Sequence, residues 1–202
     1  MVNEPDSNSL RESEPVGTGG AAVSPVTVAK RRSGFRWVVE VVVIVAAAFI
    51  LALLIQQFLV KPYAIPSPSM EPTLVEGDRV LVSRVTYNVR DPERGDIIVF
   101  EPPGYEGSDP FIKRVVAVGG DTVAVRDGVL WVNGVAQDEP YLKEGRIWED
   151  FPETSIAPGW VWAMGDNRNN SGDSRVFGPV SEEAIIGVAF AIYWPLGDLG
   201  GL

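Results

Sequence analysis

Residues 65–74 form a short segment in which two serines, Ser67 and Ser69, alternate with prolines. Each of its three prolines restricts the backbone φ angle and biases the residue before it towards an extended conformation. We therefore expect both serines on a stiff, non-helical loop. A stiff loop suits a nucleophile, because a misplaced attacking oxygen loses much of the rate gain from proximity. The same spacing is also typical of a proline-rich linker, so this segment alone leaves both interpretations open.

A second candidate group lies in the segment 111–118, where Lys113 and Arg114 interrupt a run of apolar residues. Side chains alternate along a strand, so Lys113 shares a face with Phe111 and Val115, while Arg114 lies on the other face. Burial among apolar groups disfavours the charged amine and lowers the pKa of a lysine. Lys113 is thus a candidate general base for a hydroxyl nucleophile. The alternative is an edge-strand lysine that prevents pairing with other sheets.

The third polar segment, residues 164–178, contains two Asp, two Arg, three Asn, two Ser and three Gly. This density predicts a hydrogen-bonded scaffold that orients neighbouring groups. A Ca²⁺-binding loop is the alternative. It is disfavoured because the segment has only two carboxylates and no counterpart of the glutamate that ends an EF-hand loop.

The composition excludes several mechanisms. The chain has no cysteine, which excludes disulfides, thiolate metal sites and thiol nucleophiles. It has no histidine either, which excludes a Ser-His-Asp triad and an HExxH zinc site. Proton transfer near neutral pH must therefore use a Lys, Asp, Glu or Tyr with a shifted pKa. The net charge of −10 argues against a general nucleic-acid binder.

Residues 41–60 form an uncharged stretch of 20 residues, long enough to cross a bilayer as a helix. We predict a transmembrane helix over residues 36–60, preceded by a disordered cytoplasmic tail over residues 1–35 that is rich in Ser, Gly, Pro and Glu. A buried core helix and a secretory signal peptide are the alternatives. Two glutamines alone interrupt the apolar run, and the stretch lacks an Ala-x-Ala exit, so both alternatives are disfavoured.

The flanking charges predict the orientation of this helix. Four basic residues lie shortly before or at its start, whereas Lys61 alone follows closely. The positive-inside rule therefore places the N-terminus in the cytoplasm and residues 61–202 on the outer side of the membrane. The four basic residues are Lys30, Arg31, Arg32 and Arg36.

Residues 61–202 are predicted to form one compact all-β domain, so the whole chain is mainly β with a single N-terminal helix. The dipeptides Asp127-Gly128 and Asn133-Gly134 predict tight hairpin turns. Residues 136–158 are acidic, aromatic and irregular, and we expect them to form a small excursion from the sheet. Period-two or β-branched patterns predict strands at 78–84, 96–100, 111–118, 121–126, 129–132, 160–163 and 185–194.

Taken together, the three polar segments resemble those of the type I signal peptidases, or leader peptidases, which are membrane-bound Ser/Lys proteases. Residues 67–74 are similar to the nucleophile box of that family, residues 111–121 to its lysine box, and residues 165–178 to its C-terminal box. Three boxes in this order after a membrane span make the resemblance specific. It implies a bacterial cell-membrane enzyme whose partners are signal-peptide-bearing preproteins and the lipid bilayer. No cofactor, metal or nucleic acid is implied.

The resemblance also implies a role for each residue. Ser69 is expected to be the nucleophile and Lys113 its general base. Ser67 is expected to stabilise the oxyanion together with the backbone N–H of Ser69, and Ser171 to hydrogen-bond and orient the Lys113 amine. The residues expected to hold the shape of the C-terminal loop without reacting are Asp166, Arg168, Asp173 and Arg175.

Three residues depart from the family pattern. Pro68 stands where a Gly is common, Asn169 where an Asp is common, and Phe177 where a Trp is common. None of them is an expected reacting residue, so the departures bear on loop rigidity and packing. Two alternative functions remain. One is another Ser/Lys protease, such as a pilus-system peptidase or a self-cleaving repressor, and the other is a catalytically inactive, membrane-tethered β-domain that binds partner proteins.

Overall fold

The computed structural model describes residues 34–105, 107 and 109–202. The predicted disordered tail, residues 1–35, lies outside the described residues except for its last two, which belong to the first helix.

The first element is the helix α1 (Gly34–Phe58), and its described side chains are exposed to the surroundings. Its 25 residues correspond to a length of roughly 37 Å at the usual rise of an α-helix. Within the part of the chain that the structure describes, α1 is the one helix long and apolar enough to cross a membrane. It ends two residues before the predicted end, because Val60 already begins the first strand.

The rest of the chain is built from short antiparallel strands with small helices between them. The strands are β1 (Val60–Ala64), β2 (Arg79–Ser83), β3 (Ile97–Phe100), β4 (Phe111–Val118), β5 (Thr122–Arg126), β6 (Val129–Val132), β7 (Val135–Ala136), β8 (Phe151–Ser155), β9 (Trp160–Met164), β10 (Val180–Ser181), β11 (Ile185–Trp194) and β12 (Gly200–Gly201). The short helices are α2 (Ser174–Phe177) and the 3-10 turns Pro68–Met70, Thr86–Asn88, Glu182–Ala184 and Leu196–Asp198.

These strands form two sheets. The first has the order β1-β2-β11-β3-β4-β9-β10, with β12 paired to β11, and the second has the order β7-β6-β5-β8. All the pairings are antiparallel. The mainly β fold predicted from the sequence is therefore confirmed.

The local predictions can be compared with these elements one by one. Each of the seven predicted strands is present, with its ends within one residue of the prediction. Both hairpin turns are also present, because Asp127 and Gly128 have φ angles of 53° and 80°, and Asn133 and Gly134 have φ angles of 53° and 74°. Two successive residues with positive φ are the requirement of a type I′ turn.

The prediction of an irregular excursion over 136–158 is partly wrong, because β8 lies inside it and pairs with β5. The strand was missed for a physical reason. It is an edge strand with the sequence FPETS, it contains a proline, and none of its side chains is fully buried, so it lacks the alternating apolar pattern of an inner strand.

Two features of the first sheet position the polar segments. Arg114 on β4 pairs with Met164, the last residue of β9. The loop that follows β9 therefore begins beside β4, the strand that carries Lys113. The segment between β1 and β2 packs against the same region, because Met70 and Leu74 share one buried apolar cluster with Ile112 of β4. All three polar segments therefore meet at one edge of β4.

Candidate active site

Ser69 and Lys113 are in direct contact, although 44 residues separate them in the sequence. The Lys113 Nζ lies 2.7 Å from the Ser69 Oγ and donates a second hydrogen bond of 2.9 Å to the backbone carbonyl of Ile112. Both residues are buried, with 7% of Ser69 and 4% of Lys113 exposed. A hydroxyl and an amine are thus held at hydrogen-bond distance away from bulk water.

The surroundings of Lys113 favour the neutral amine. Burial lowers the pKa of Lys113 from its ordinary value of 10.5 to about 8, while the negative charges of Asp173 and Asp166 act in the opposite direction. Among the described residues, no carboxylate lies within ion-pair distance of this amine. The ring of Phe111, centred 5.5 Å from Nζ, contributes to the apolar wall.

Residues 65–74 carry Ser69, the expected nucleophile, and we call them the nucleophile loop. This loop is held by a 3-10 turn over Pro68–Met70, with Ser69 at its centre. Pro68 occupies the first helical position, where its fixed φ angle and missing N–H fit the geometry, so the departure from the usual glycine is accommodated. Met70 is fully buried and fastens the turn to the core. The Oγ of Ser67, which is half-buried, lies 3.3 Å from the Oγ of Ser69.

A cleft of about 380 Å³ opens over the Ser69–Lys113 contact. Its walls come from the nucleophile loop, from β4 with the residues just before it, and from the C-terminal loop. The lining residues that matter below are Ser67, Ser69, Asp109, Lys113, Asn170 and Gly172.

The C-terminal loop contacts the backbone of the nucleophile loop directly. The backbone N–H of Asn167 donates to the Ser69 carbonyl at 3.1 Å, and its side-chain amide donates to the Pro68 carbonyl at 3.0 Å. Gly165 packs against the same Ser69 carbonyl. A Cβ atom on Gly165 would lie well inside van der Waals distance of that oxygen and of the Ser171 Oγ, so only glycine fits there.

Two buried aspartates hold the ends of this loop. Asp166 accepts hydrogen bonds from Arg114 at 2.9 and 2.7 Å, and from the Thr73 hydroxyl at 2.6 Å. Asp173 accepts from the Gly165 N–H at 3.1 Å and from the Arg175 guanidinium at 2.9 and 2.8 Å. Both carboxylates are fully buried, and each is paired with a cation.

Arg168 is the third charged residue of the loop with a buried partner. Its Nε donates to the Gly165 carbonyl at 2.9 Å, and its two terminal nitrogens donate to the Glu139 carboxylate at 2.7 and 2.8 Å. No pattern in the sequence pointed to Glu139, because this residue lies in the irregular segment with no periodicity around it. Thr73 and Arg114 were also missed as site residues, although both stand beside predicted ones.

Ser171 does not form the predicted hydrogen bond to Lys113. Its Oγ is buried and, within the part of the chain that is described, has no hydrogen-bond partner. The Lys113 amine instead uses the Ser69 hydroxyl and the Ile112 carbonyl. The Ser171 Oγ lies against Gly165, close to the position that a Cβ atom on that glycine would occupy.

The two remaining departures from the family pattern have clear contacts. Asn169 accepts a hydrogen bond of 2.9 Å from the Trp148 N–H, and its NH₂ group donates to the Arg146 carbonyl at 3.0 Å and to the Glu144 carboxylate. Phe177 packs against one ring of β3 and one of β4, with its ring centre 6.1 Å from that of Phe100 and 6.2 Å from that of Phe111.

Comparison with known proteins agrees with this geometry. A family model described as signal peptidase, peptidase S26, matches residues 36–194. The chain belongs to this family. A probable signal peptidase I-1 of Synechocystis sp. is 40% identical over 176 residues, which cover 84% of this chain and 89% of the relative.

A second relative supports the same family. The chloroplastic thylakoidal processing peptidase 1 of Arabidopsis thaliana is 43% identical over 157 residues, which cover 73% of this chain and 46% of that longer protein. A solved signal peptidase I from Enterococcus faecalis is 33% identical and superposes with a TM-score of 0.43, covering 50% of this chain and 97% of that one.

The predicted family is therefore confirmed, and with it the assignment of the chain to the serine endopeptidases of the signal peptidase class. The family is associated with membranes, which agrees with the single apolar helix α1. Nothing in these comparisons favours the alternatives of a pilus-system peptidase, a repressor or an inactive binding domain.

Proposed function

We propose that this chain is a signal peptidase that cleaves signal peptides from exported preproteins, with Ser69 as nucleophile and Lys113 as general base. The observation that carries the proposal is the 2.7 Å contact between the Lys113 Nζ and the Ser69 Oγ. In a chain without histidine or cysteine, a buried lysine with a lowered pKa is the group best suited to take a proton from a serine near neutral pH.

The reaction begins with neutral Lys113. Its lone pair takes the proton of the Ser69 hydroxyl while the Oγ attacks the scissile carbonyl carbon, giving a tetrahedral oxyanion and a lysine ammonium. The Ser67 hydroxyl and the Ser69 backbone N–H donate to the oxyanion. When the C–N bond breaks, the ammonium returns the proton to the leaving amine. Water, deprotonated by the same lysine, then hydrolyses the acyl-enzyme and restores the Ser69 hydroxyl.

The substrate lies extended in the cleft above Ser69, between the nucleophile loop and the residues before β4. An extended chain beside a strand exposes alternate side chains to the cleft walls, so two positions before the scissile bond are read together. The family resemblance assigns small residues to the −1 and −3 positions. Asp166, Arg168, Asp173 and Arg175 take no part in bond breaking and hold the C-terminal loop against Ser69. The reaction calls for no metal or organic cofactor.

We further propose that α1 anchors the chain in the bacterial cell membrane, with its N-terminus in the cytoplasm and residues 61–202 outside. The excess of basic residues before α1 supports this orientation. Because the chain has no cysteine, single-cysteine variants give clean reporters. In right-side-out membrane vesicles, a membrane-impermeant maleimide should label Val89→Cys, a position that is 86% exposed, but not Ser13→Cys. The reverse labelling would contradict the orientation.

The proposed activity is tested with the full-length protein in detergent and one exported precursor. The wild-type protein should release a mature product whose new N-terminus, read by sequencing, lies at the end of the signal peptide. Ser69→Ala should give no product above background, because it removes the attacking oxygen. Ser155→Ala, at an exposed position on β8, is the matched control and should cleave like the wild type. Cleavage by a folded Ser69→Ala protein well above background would overturn the assignment of the nucleophile.

A further inference from the structure

The segment between β7 and β8, residues 137–150, supplies no reacting group, yet it carries a buried acid in contact with the site. The side chains of Arg168 and Glu139 are only 1% and 6% exposed, and they form a two-pronged ion pair. A buried charge without a partner is strongly unfavourable, so this pair fixes the position of both groups. We call residues 137–150 the clamp segment.

A short chain of contacts connects Glu139 with the nucleophile. The Arg168 guanidinium that Glu139 holds also donates to the Gly165 carbonyl at 2.9 Å. Gly165 packs so closely on the Ser69 carbonyl that no side chain fits between them. The Ser69 carbonyl also accepts the Asn167 N–H from the same loop. A displacement of Arg168 must therefore reach the backbone of the nucleophile.

Tyr141 connects the same carboxylate to the lysine strand. Its hydroxyl donates to Glu139 at 2.8 Å, and its ring centre lies 4.2 Å from the Arg114 guanidinium and 5.9 Å from that of Arg168. Burial and the Glu139 carboxylate raise the pKa of Tyr141, so its hydroxyl remains a donor. Arg114, the neighbour of Lys113 on β4, is fixed in turn by Asp166. The clamp segment thus contacts Arg114 and Arg168, two of the arginines that hold the site.

We propose that Glu139, supported by Tyr141, is a positioning residue that fixes the Ser69–Lys113 geometry through Arg168 and Gly165. This inference rests on the proposed function, because it concerns the same serine and lysine. The inference gives a role in positioning the site to the clamp segment, which lies outside the three polar segments.

The proposal predicts a specific effect on pH dependence. Among the described residues, the charges that act on Lys113 are those of Asp166 and Asp173 in the C-terminal loop, and Asp109 lines the same cleft. Arg114 lies on the opposite face of β4. Burial is the largest cause of the low pKa of Lys113. If the C-terminal loop loosens, water reaches the amine and its pKa rises towards the ordinary value. The acidic limb of the pH–rate profile, which is the range where the cleavage rate rises with pH, then moves to higher pH.

The experiment compares Glu139→Gln with Glu153→Gln in full-length protein, using a soluble signal-peptide substrate. Glu153, which lies on β8, is the matched control, because its ion pair with Arg126 is about half exposed to solvent. Glu139→Gln should lower kcat at neutral pH by roughly tenfold to a hundredfold, the cost of a small misplacement of reacting groups. It should also shift the acidic limb upwards, so that much of the rate returns in alkaline buffer. Glu153→Gln should change neither.

A purely structural role gives a different result. Loss of folded protein lowers the number of sites that a covalent serine-directed probe can titrate, but it leaves kcat per titrated site and the position of the limb unchanged. If Glu139→Gln shows this result, or behaves like the wild type, the proposal is wrong.

If Glu139→Gln does not fold, Tyr141→Phe decides the question. It keeps the ring between the arginines and removes only the hydroxyl that donates to Glu139, so the same upward shift should appear with a smaller size. A wild-type profile for Tyr141→Phe would then overturn the proposal. Ser69→Ala separates these outcomes from a failure of the proposed function, because it must be inactive whatever the clamp segment does.

Discussion

The two faces of β4 carry neighbouring cations that the protein treats in opposite ways. Arg114, with 13% of its side chain exposed, is paired with the fully buried carboxylate of Asp166. Lys113 is more deeply buried and, in the part of the chain that the structure describes, contacts a serine hydroxyl and a backbone carbonyl instead of an acid. One strand thus places a paired cation on its scaffold face and an unpaired cation on its reactive face.

The difference follows from the chemistry of the two side chains. A buried charge must be paired or must lose its charge. A guanidinium does not deprotonate in proteins, so Arg114 requires an acid, whereas an amine becomes neutral when burial lowers its pKa. Among the described residues no acid contacts Lys113, and this is the feature that suits it to the proposed role of base. An acid placed there would restore the charge and remove the function.

The largest expected effect comes from Lys113→Arg, which places a permanently charged group on the reactive face. We expect cleavage to fall by at least about 10²–10⁴-fold, the usual contribution of a general base, and no recovery at high pH. Single-turnover cleavage of one precursor from pH 7 to 10 measures this, with Arg126→Lys at an exposed site as control. Substantial activity with an unchanged acidic limb would show that another group is the base, with Asp166 and Asp173 the first to test.

The next effect concerns the scaffold face. Asp166→Asn removes the acid and leaves Arg114 buried without its partner, which should lower the free energy of unfolding by about 3–5 kcal/mol. Glu153→Gln is the control, because its exposed pair with Arg126 should contribute at most about 1 kcal/mol. Urea unfolding of the full-length protein in detergent, followed by tryptophan fluorescence, gives both values. An equal decrease in the free energy of unfolding for the two variants would mean that the Arg114–Asp166 pair stabilises the fold no more than an exposed pair does.

A smaller effect is expected from pH alone. Since Lys113 must be neutral to accept a proton and its pKa is lowered to about 8, kcat/KM should rise about tenfold per pH unit below pH 8 and level off above it. A rise of kcat/KM with pH is the direction expected for a general base, so lowering the pH should suppress activity while the protein stays folded. A profile that is flat between pH 6 and 9 would contradict the assignment of the limb to Lys113.

The sequence predicted the reactive face of β4 better than the scaffold face. Proline spacing and strand periodicity marked Ser69 and Lys113 only as candidates, and the resemblance of the three polar segments to one family implied their roles. The two residues do meet in the structure. Glu139 and Tyr141 could not be predicted as site residues. Their contacts depend on where the clamp segment lies, and its sequence has no hydrophobic periodicity that would predict this. The hydrogen bond predicted from Ser171 to Lys113 is not formed in this structure, where the Ser171 Oγ has no partner among the described residues. It depended on the relative placement of two loops, which no local pattern encodes.

The smallest expected effects come from adding an acid to the C-terminal loop at two adjacent positions. Asn169 lines a separate cleft together with Trp148 and Ser171, whereas Asn170 lines the cleft of Lys113. The two residues therefore line different clefts. Asn169→Asp and Asn170→Asp add the same charge one residue apart. They test whether the added charge changes the stability of the loop or the pKa of Lys113.

Asn169→Asp should lower the free energy of unfolding by about 1 kcal/mol, because an aspartate cannot donate to the Arg146 carbonyl and repels the Glu144 carboxylate. The acidic limb should stay in place. Adding Glu144→Gln should recover part of this stability, since an amide at position 144 can donate to the new aspartate, and a double-mutant cycle measures the coupling.

Asn170→Asp should do the reverse. A negative charge in the cleft favours the ammonium form and raises the pKa of Lys113, so the acidic limb should move to higher pH with little change in stability. Measuring the limb and the unfolding free energy for both variants gives four values. If Asn169→Asp moved the limb as far as Asn170→Asp, the reactive and scaffold sides of the loop would not be electrostatically separate. The low pKa of Lys113 would then depend on the total charge of the loop, and the contrast between the two faces of β4 would lose its explanatory value.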